Sequence, residues 1–365
     1  MKKVAHIQIL PILSGGQRVI LDILDCLPDN EYEKYVITRS GGPLVQKVTQ
    51  KGYHHIAANF LFRKFSPCDL LAFFQLIYIY KKYKFDIVHT HASKTGILGR
   101  VAAKLAGVPT IYHTVHGFSF HPYQNKFLHL FYQLAEKIVA KFSDKIVFVN
   151  NYERQLAIRK NLVSKQQAIT IYNGVEQVTN LQSNKPDDLK GFFVVGSTLR
   201  FEPQKNIIDT MKVAILTAKL NSDLKFVFVG EGSLLHKARQ LVRKNRLEHR
   251  IIFPGWQDDI SSWLRSFDAF LLYSKWEGLP LSILEAMSYG LPIIASDIKG
   301  NNELVDNRNG ILVSVNQIDK LVQVLRNLPD NKNLKRWREG SIYKVKNNFS
   351  KSKFARKYRE LYNGA

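Results

Sequence analysis

Residues 269–295, AFLLYSKWEGLPLSILEAMSYGLPIIA, decide the fold because two strand patterns flank a helix pattern. Residues 269–272 and 292–295 are short apolar runs bounded by turn residues, as buried strands are. Residues 282–289 carry apolar side chains at helical spacing. A strand, a helix and a second strand in this order predict a parallel sheet covered by helices.

The same alternation continues through residues 4–171 and again through the second half of the chain. Between the two series lies a polar segment, 176–190, whose Asn, Ser, Pro and Asp are typical of a linker. The chain is therefore predicted to be an α/β protein with two doubly wound, Rossmann-like domains, 1–175 and 176–345, that face a central cleft. Ligands of such sheets bind at the carboxyl ends of the strands. We expect the basic segment 346–365 to form a C-terminal helix that packs back on the first domain.

Composition excludes several classes of protein. A chain of 365 residues, 45% hydrophobic and 23% charged, is neither fibrous nor wholly disordered. Two cysteines, Cys26 and Cys68, exclude a disulfide scaffold and a four-cysteine zinc site. The first residues are too polar for a signal peptide, and the longest nearly apolar run, 70–80, is shorter than the roughly twenty residues that span a bilayer. We therefore expect a cytoplasmic protein.

The net charge of +23 is the least ordinary property of the chain, and the excess is spread over both halves. Such an excess indicates a polyanionic partner, which is nucleic acid, an anionic membrane face or a phosphate-bearing ligand. Three segments of the first half, 60–65, 81–85 and 123–132, combine basic with aromatic residues. Their aromatic side chains either contact a membrane or belong to the core, with the lysines merely solvated.

The strongest candidate site is the turn and helix after the strand at 269–272. Glu277 lies on the turn, where its carboxylate can accept hydrogen bonds from ligand hydroxyls, and the amides of Gly278 and Leu279 can face an anion. Glu285 lies in the predicted first helical turn, where a carboxylate can bind a vicinal diol such as ribose. Its alternative role is structural, because Ser282 and Glu285 also have the spacing of a capping box.

Arg200 and Lys205 follow the first strand of the second predicted domain. Two cations in such a turn can hold a diphosphate, the arginine through forked hydrogen bonds and the lysine as a point charge. The alternative is a solvated loop in which these cations pair with Glu202.

Gly15 and Gly16 come after the first strand and before a helix, where backbone N–H groups can approach a phosphate. A glycine pair at this place is also an ordinary turn, and the Gly-x-Gly-x-x-Gly dinucleotide fingerprint is absent.

Histidines end two neighbouring predicted strands. His89 and His91 end one, and His116 follows the next, where its ring could contact a sugar hydroxyl or a diphosphate. Several histidines at one rim also suggest a metal, but no carboxylate stands at ligand spacing, so no metal site is predicted.

Taken together, these residues resemble the retaining glycosyltransferases of family 4, which have the two-domain GT-B fold. Each element is weak by itself, but they stand in the order of the family along nearly the whole chain. The elements are Gly15-Gly16, residues 88–91 (VHTH), His116-Gly117, residues 173–175 (NGV), Arg200 with Lys205, residues 229–232 (VGEG), Glu277 with Glu285, and residues 290–292 (GLP). Residues 89–121 are most similar to bacterial enzymes that build capsule, exopolysaccharide or O-antigen repeat units.

The resemblance implies transfer of a hexose or N-acetylhexosamine from a nucleotide diphosphate sugar, with UDP as the expected nucleotide. It implies that Arg200 and Lys205 neutralise the leaving diphosphate and that Glu277 binds the donor sugar. It further implies that His116 contacts the transferred sugar and that no metal or other cofactor takes part.

The remaining contacts implied by the resemblance hold the nucleotide. Gly15 and Gly16 would donate to the diphosphate, Glu285 would bind the ribose, and the amides of Gly278 and Leu279 would lie beside the sugar. In this family the first Glu-Gly is commonly followed by Phe-Gly or a similar pair, whereas here Leu279-Pro280 follows Gly278 directly. The identity of the amide donor therefore stays open.

The expected acceptor is a saccharide linked to polyprenyl diphosphate. Because the first domain holds the acceptor in this family, we expect the basic and aromatic segments to dock peripherally on the anionic cytoplasmic leaflet of the inner membrane. Two other functions remain: a nucleotide-sugar epimerase of the same fold, and a basic nucleic-acid-binding protein. The second would need a recognition motif, and the sequence shows neither a helix-turn-helix, a zinc finger nor an RNP motif.

Overall fold

The computed structural model describes residues 1–62, 66–118 and 125–364. It divides into two compact units. Unit 1 contains Met1–Asn173 together with Ser352–Ala365, and unit 2 contains Gly174–Lys351.

Unit 1 is built on a sheet of seven parallel strands in the order β3-β2-β1-β4-β5-β6-β7. Short β-branched runs form these strands, and both faces are covered, as a parallel sheet requires. The strands are β1 (Lys2–Ile7), β2 (Tyr32–Thr38), β3 (His54–Ala57), β4 (Ile87–His91), β5 (Thr110–Val115), β6 (Lys145–Phe148) and β7 (Ala168–Thr170). The helices of its first part are α1 (Gly15–Cys26), α2 (Gly42–Gln50), α3 (Cys68–Tyr83), α4 (Ser93–Ala106), α5 (Lys126–Ala140) and α6 (Asn151–Arg159).

Unit 2 repeats the architecture with six parallel strands in the order β10-β9-β8-β11-β12-β13. The strands are β8 (Phe193–Thr198), β9 (Leu224–Val229), β10 (Ile251–Gly255), β11 (Ala269–Leu272), β12 (Ile293–Ser296) and β13 (Gly310–Val313). The helices are α7 (Ile207–Leu220), α8 (Leu235–Lys244), α9 (Ser261–Ser266), α10 (Leu281–Ser288), α11 (Lys299–Asn302), α12 (Ile318–Arg326) and α13 (Leu334–Asn348).

In both sheets the order of the strands reverses at a switch point, between β1 and β4 in unit 1 and between β8 and β11 in unit 2. At such a point the loops at the carboxyl ends of the two strands diverge and leave a crevice for a ligand. The prediction of two Rossmann-like, parallel-sheet domains is confirmed. The candidate loops after β1, β5, β8 and β11 all follow carboxyl ends of strands.

The basic C-terminal region forms two helices. Helix α13 ends before Phe349, whose N–H bonds to the carbonyls of Lys344 and Val345, and Ser350 then pairs with Val175 as a β-bridge. Helix α14 (Lys351–Asn363) follows, and all but its first residue belongs to unit 1. The segment that returns to unit 1 thus begins at Ser352, six residues after the predicted boundary at 346.

Helix α14 packs through one stripe of aromatic side chains. Phe354, Tyr358 and Tyr362 recur every four residues on it, and all three are buried. Side chains four apart lie on one face of a helix, so this stripe faces the protein while Lys353, Arg356 and Lys357 are exposed. Tyr362 thereby reaches the strands of unit 1.

Candidate functional site

The loop after β8 carries Arg200. The backbone on either side of this residue is fixed, because the N–H of Leu199 donates to the carbonyl of Val229 at 3.0 Å and the N–H of Phe201 donates to that of Glu231 at 2.8 Å. The Arg200 side chain is exposed and has no hydrogen bond or ion pair with a residue that the structure describes. A fixed backbone therefore presents a free guanidinium at the carboxyl edge of the sheet.

Two glycines make this close approach of backbones possible. Gly230 has a φ of 136°, and a Cβ there would lie 1.9 Å from the carbonyl oxygen of Leu199. Gly232 has a φ of 152°, and a Cβ there would lie 2.7 Å from the N and O atoms of Phe201. The VGEG motif thus holds the Arg200 loop in place.

Lys205 ends the short 3-10 helix Pro203–Lys205, and its Nζ lies 2.5 Å from Oε1 of Glu277. Only 11% of the Lys205 side chain and 6% of the Glu277 side chain are exposed. Gln204 braces the pair, because its Nε2 donates to the carbonyl of Trp276 at 2.9 Å and lies 3.5 Å from Oε2 of Glu277. The structure thus joins two residues that the sequence singled out separately.

The pairing of Lys205 or Arg200 with Glu202 is not found. Glu202 instead accepts hydrogen bonds from the N–H and the hydroxyl of Ser233, at 3.3 and 2.9 Å. The alternative of a solvated loop, which rested on that pairing, is therefore wrong for Lys205.

The turn that carries Glu277 is held from two sides. The N–H of Lys275 donates to the carbonyl of Gln204 at 2.9 Å. On the other side, a Cβ at Gly300 would lie 2.4 Å from the carbonyl oxygen of Gly278 and 2.6 Å from that of Glu277. Only a glycine at position 300 allows this contact. Gly278 and Leu279 are both buried in the turn.

Helix α10 begins one residue earlier than predicted. The carbonyl of Pro280 accepts the first helical hydrogen bonds, from the N–H groups of Ile283 and Leu284, so Pro280 and not Ser282 is the residue before the helix. The capping box is therefore wrong, and Glu285 lies in the second turn and not the first. Its side chain is half-buried.

Unpaired polar atoms gather at the same edge of the unit 2 sheet. The hydroxyls of Ser197 and Thr198, at the end of β8, and of Ser274, just after β11, are buried and have no hydrogen-bond partner in the described parts of the chain. Strands β8 and β11 are neighbours. Buried polar groups are nearly always paired, so these hydroxyls indicate where a polar ligand can complete the hydrogen bonding. Ser197 and Thr198 are consecutive in β8 and point to opposite faces of the sheet, so a ligand on one face reaches only one of them.

In unit 1, Gly15 and Gly16 are the first two residues of α1 and not a separate turn. Ser14 precedes them with an extended backbone and makes no side-chain cap, because its hydroxyl donates to Oε1 of Gln17 at 2.5 Å. The first N–H groups of a helix have no acceptor within the helix, and the helix dipole gives this end partial positive charge. The start of α1 can therefore bind an anion.

His116 lies beside the start of α1. A Cβ added at Gly16 would lie 3.8 Å from Cδ2 of His116 and 3.9 Å from Nε2 of Gln8. The ring of His116 is partly buried, and its Nε2 lies 2.9 Å from Nδ1 of His91. The structure thus brings together Gly16 and His116, two residues that the sequence proposed from different motifs.

The buried histidines of unit 1 are neutral. Burial lowers the pKa of His116 to about 4 and that of His6 to about 3, and it lowers the pKa of His89 and His91 well below the ordinary range. His116 at neutral pH is therefore a hydrogen-bonding group and not a cation.

Several residues of these sites were not predicted from the sequence. They are His6, Gln204, Gly300 and Tyr362. His6 stands in a strand whose register places it beside His89, but register is not readable from one strand. Gly300 carries no motif, and its role follows only from the approach of α11 to the Glu277 turn.

A surface of unit 1 exposes large apolar side chains on α3 and α5, which both pack beside α4. This surface, called the α3/α5 face below, is made by Leu70, Leu71, Phe74 and Tyr78 on α3 and by Phe127, Leu130, Phe131, Leu134 and Ile138 on α5. Exposed lysines border it, namely Lys81, Lys82, Lys126 and Lys137. Helices long and apolar enough to cross a bilayer do not occur among residues 1–62, 66–118 and 125–364.

The three basic and aromatic segments behave differently. In segment 81–85 the aromatic side chains belong to the core, because Phe85 is buried and stacks on Tyr83. In segment 123–132, Phe127 and Phe131 are exposed, and residues 123–124 lie outside the described residues. Residues 63–65 of the first segment also lie outside them.

Comparison with known proteins identifies the class. A family profile described as Glycosyltransferase Family 4 matches residues 13–177, and one described as Glycosyl transferases group 1 matches residues 179–342. Among solved structures, Anabaena HepE in complex with UDP and glucose superposes with a TM-score of 0.82 at 16% identity, over 100% of both chains. The two units have the GT-B fold.

The sequence relatives are more specific. An Escherichia coli protein named UDP-Gal:alpha-D-GlcNAc-diphosphoundecaprenol alpha-1,3-galactosyltransferase is 37% identical over 373 aligned positions, covering 99% of this chain and 96% of the relative. A Staphylococcus aureus protein named capsular polysaccharide biosynthesis glycosyltransferase CapH is 28% identical, covering 83% of this chain and 84% of its own. The chain belongs to the family 4 glycosyltransferases, as the motif order predicted, and it is a glycosyltransferase.

Proposed function

We propose that this enzyme transfers a hexose or N-acetylhexosamine from a UDP-sugar to a saccharide linked to polyprenyl diphosphate, with retention of the anomeric configuration, in the synthesis of capsule, exopolysaccharide or O-antigen. The observation that carries the proposal is the full-length likeness to the E. coli enzyme, whose name states a UDP-galactose donor and a GlcNAc-diphosphoundecaprenol acceptor. UDP-galactose holds its sugar in the α configuration, so an α-linked product means retention. UDP-galactose is therefore the first donor to test.

Unit 2 supplies the charges for the leaving diphosphate in this proposal. Arg200 is free to form forked hydrogen bonds with phosphate oxygens, and Lys205 brings a second positive charge. The diphosphate gains negative charge as the sugar leaves, so cations fixed beside it stabilise the transition state more than the ground state. These side chains take the role that a divalent ion plays in other transferases, and we propose that the reaction is metal-independent.

The pairing of Lys205 with Glu277 keeps both ions neutralised before the donor binds. A charged lysine that is buried without a partner is unfavourable, so the pair with Glu277 keeps Lys205 positively charged and in place for the diphosphate. Glu277 then has oxygen lone pairs for the hydroxyls of the donor sugar, with the buried Gly278 and Leu279 beside it. We assign Glu285, on the next helix, to the ribose diol.

Unit 1 supplies uncharged donors in this proposal. The N–H groups of Gly15 and Gly16 at the start of α1 hydrogen-bond the diphosphate, and His116 beside them hydrogen-bonds the transferred sugar. None of these residues is assigned as a nucleophile. The chemistry is displacement of the diphosphate with charge stabilised by the protein.

We further propose that the α3/α5 face docks on the anionic cytoplasmic leaflet, which holds the lipid-linked acceptor. Large apolar side chains exposed on two helices that both pack beside α4 are unusual on a freely dissolved protein, and the bordering lysines match anionic headgroups. The +23 charge is thereby assigned to phosphate-bearing ligands and to the membrane, and not to nucleic acid.

The proposal is tested with purified enzyme, a panel of UDP-sugars and a synthetic GlcNAc-diphosphate lipid, with products read by mass spectrometry. We expect one UDP-sugar to extend the lipid by one sugar, in the presence or absence of EDTA. Interconversion of a UDP-sugar with its epimer, without extension of the lipid, would instead establish an epimerase and overturn the proposal.

A further inference from the structure

Four histidines and one tyrosine of unit 1 form a continuous chain of hydrogen bonds, called the histidine relay below. Nε2 of His116 meets Nδ1 of His91 at 2.9 Å, and Nε2 of His91 meets Nδ1 of His6 at 2.8 Å. Nε2 of His6 meets the hydroxyl of Tyr362 at 2.9 Å, which also meets Nδ1 of His89 at 2.6 Å. The relay ends where Nε2 of His89 meets the hydroxyl of Thr114 at 2.7 Å.

The fold assembles the relay from four elements. His6 on β1 stands in register with His89 on β4, and His91 is two residues further along the same strand, so its side chain points to the same face. His116 follows β5, the next strand, and Tyr362 comes from α14. His6, His89, His91 and Tyr362 have no exposed surface.

One end of the relay is open to a ligand. His116 is partly exposed, and its Nδ1 makes no hydrogen bond to any residue in the described ranges. This ring is the one that lies beside Gly16 at the start of α1. The buried relay therefore terminates at the group assigned to the donor sugar.

The hydrogen bonds restrict how the protons are placed. A neutral imidazole has one N–H donor and one nitrogen acceptor, and burial keeps these rings neutral by lowering their pKa values. Wherever two ring nitrogens meet, one must donate and the other accept. The order of Nδ1 and Nε2 in the relay then forces His6, His91 and His116 to carry their protons on the same type of nitrogen.

Tyr362 extends this restriction to His89. Its hydroxyl has one proton and contacts a ring nitrogen on each side. If the hydroxyl accepted from both rings, its own proton would be left buried without an acceptor, which is unfavourable. It therefore donates to one ring and accepts from the other, so that all four rings carry Nδ1–H or all four carry Nε2–H.

We propose that the histidine relay couples the tautomer of His116 to those of the buried rings, so that one shared arrangement of protons decides whether Nδ1 of His116 offers the donor sugar a hydrogen-bond donor or an acceptor. The assignment of the sugar as the ligand rests on the proposed function. In the first arrangement Nδ1–H donates to a sugar hydroxyl, and in the second the bare nitrogen accepts from one. His6, His89, His91 and Tyr362 are positioning residues, since they act through His116.

A buried metal is the competing use of the same side chains. One nitrogen from each of His6, His89 and His91 lies within 4.8 Å of the others. In the relay, however, Nδ1 of His6 and Nε2 of His91 are directed at each other, so their lone pairs do not converge on a common point. Ring-to-ring hydrogen bonds of His6 and His91, and the hydroxyls of Tyr362 and Thr114 beside His89, account for these nitrogens without an ion.

The first test needs no substrate and is therefore independent of the proposed function. The whole chain, labelled with ¹⁵N in its histidine rings, is examined by NMR at neutral pH, and its metal content is measured. We expect the four relay rings to be neutral and to share one tautomer. Mixed tautomers among His6, His91 and His116, a charged ring in the relay, or one equivalent of bound metal would overturn the proposal.

The second test separates the relay from simple packing. Tyr362→Phe removes the hydroxyl that joins His6 to His89. The control is Tyr112→Phe on β5, whose hydroxyl donates to the carbonyl of Leu361, the residue before Tyr362, and is not part of the relay. We expect the ¹⁵N chemical shifts of the His116 ring to change in Tyr362→Phe and to stay unchanged in Tyr112→Phe. With an active donor, kcat of Tyr362→Phe should fall about tenfold with little change in KM for that donor.

The kinetic measurement and the NMR measurement test different hypotheses, the proposed function and the relay. If no UDP-sugar is transferred, the proposed function fails while the NMR result still decides the relay. Equal shifts of the His116 nitrogens in the two tyrosine variants, or an equal loss of kcat in both, would show a packing effect and overturn the relay.

Discussion

At the scale of single residues, Lys205 and Glu277 form an ion pair that the sequence did not predict, although it identified each residue separately. They lie 72 positions apart, and their loops follow β8 and β11, which are neighbours in the sheet although not consecutive in the chain. The motif chemistry identified both residues. Their contact required the strand order, which one sequence without an alignment does not reveal.

Glu277→Gln keeps the shape of the side chain but removes its charge. We expect turnover to fall about a hundredfold, because an amide stabilises the sugar hydroxyls and Lys205 less well in the transition state. Affinity for UDP, which lacks the sugar, should not fall. Steady-state transfer and calorimetry with UDP measure the two effects.

The matched control for this variant is Glu202→Gln, which changes a carboxylate that bonds to Ser233 and not to the site. Its turnover should remain close to that of the wild type. Undiminished turnover in Glu277→Gln would remove Glu277 from the site.

Arg200→Ala tests the diphosphate clamp without disturbing the core, because Arg200 is exposed. We expect the Kd for UDP to rise about tenfold to a hundredfold, the range expected when hydrogen bonds to a charged group are lost. Lys212→Ala is the control, since Lys212 is an exposed cation that pairs with Asp209 on α7. Equal UDP affinity in Arg200→Ala and the control would refute the clamp.

At the scale of elements, strands with strong apolar runs were predictable, and marginal helices were not. The predicted strand at 269–272 agrees with β11. Helices α2 and α6 are hard to predict from the sequence, because each has nine residues and buries only one or two side chains, so their periodicity is weak. The start of α10 was misplaced by one residue because the carbonyl of Pro280, and not the Ser282 side chain, begins the helix.

Contacts between residues that are far apart in the chain could not be predicted for the site either. Tyr362 is 356 positions from His6, and nothing in the local pattern of α14 indicates that its last aromatic residue meets a histidine. His89 and His91 were recognised as residues at a strand end. Their hydrogen-bonded partners became visible only when β1, β4 and α14 were placed together.

Gly300→Ala tests how α11 supports the Glu277 turn. The added Cβ would collide with the carbonyl oxygens of Glu277 and Gly278, which are backbone atoms and cannot turn aside. We expect the free energy of unfolding to fall by about 1–3 kcal/mol and turnover to fall with it, because the turn must shift. Urea unfolding and steady-state transfer measure this.

Gly16→Ala is the control for stability, because its added Cβ finds only ordinary contacts at 3.8 Å or more. Its free energy of unfolding should stay unchanged or rise slightly, since alanine favours a helix. Equal stability of the two alanine variants would contradict the assigned role of Gly300.

At the scale of the whole molecule, the buried histidines make stability depend on pH. Their pKa values in the folded protein lie below those in the unfolded chain, about 3 for His6 and about 4 for His116. Between the folded and the unfolded pKa values, the unfolded chain binds more protons, so the free energy of unfolding rises with pH and falls on acidification. Each such histidine contributes up to about 1.4 kcal/mol per pH unit within that window.

Urea unfolding at about pH 7 and about pH 5.5, on either side of the ordinary histidine pKa, measures this dependence. We expect His116→Gln to reduce the pH dependence, because it removes a buried ring whose pKa is lowered. A pH dependence that is the same in wild type and His116→Gln would contradict the low pKa of His116.

Binding of the α3/α5 face to a membrane should depend on the net positive charge of the whole molecule. The protein should float with anionic phosphatidylglycerol vesicles at low salt and dissociate at high salt. Phe127→Ser combined with Phe131→Ser should weaken binding about tenfold or more, because the apolar area that enters the membrane is lost.

Leu216→Ser combined with Leu220→Ser, on exposed positions of α7 in unit 2, is the control and should bind as the wild type does. Failure of the wild type to float at low salt would overturn the assignment of this surface to the membrane.

The most direct measurement of the central claim is the anomeric configuration of the product. The enzyme is incubated with UDP-galactose and a GlcNAc-diphosphate lipid, and the new linkage is read by NMR. The account predicts an α-linked sugar on the lipid acceptor, which is galactose if UDP-galactose is the donor, formed with EDTA present and greatly reduced in Glu277→Gln. A β-linked product, or release of UDP with no sugar on any lipid acceptor across the whole donor panel, would contradict it.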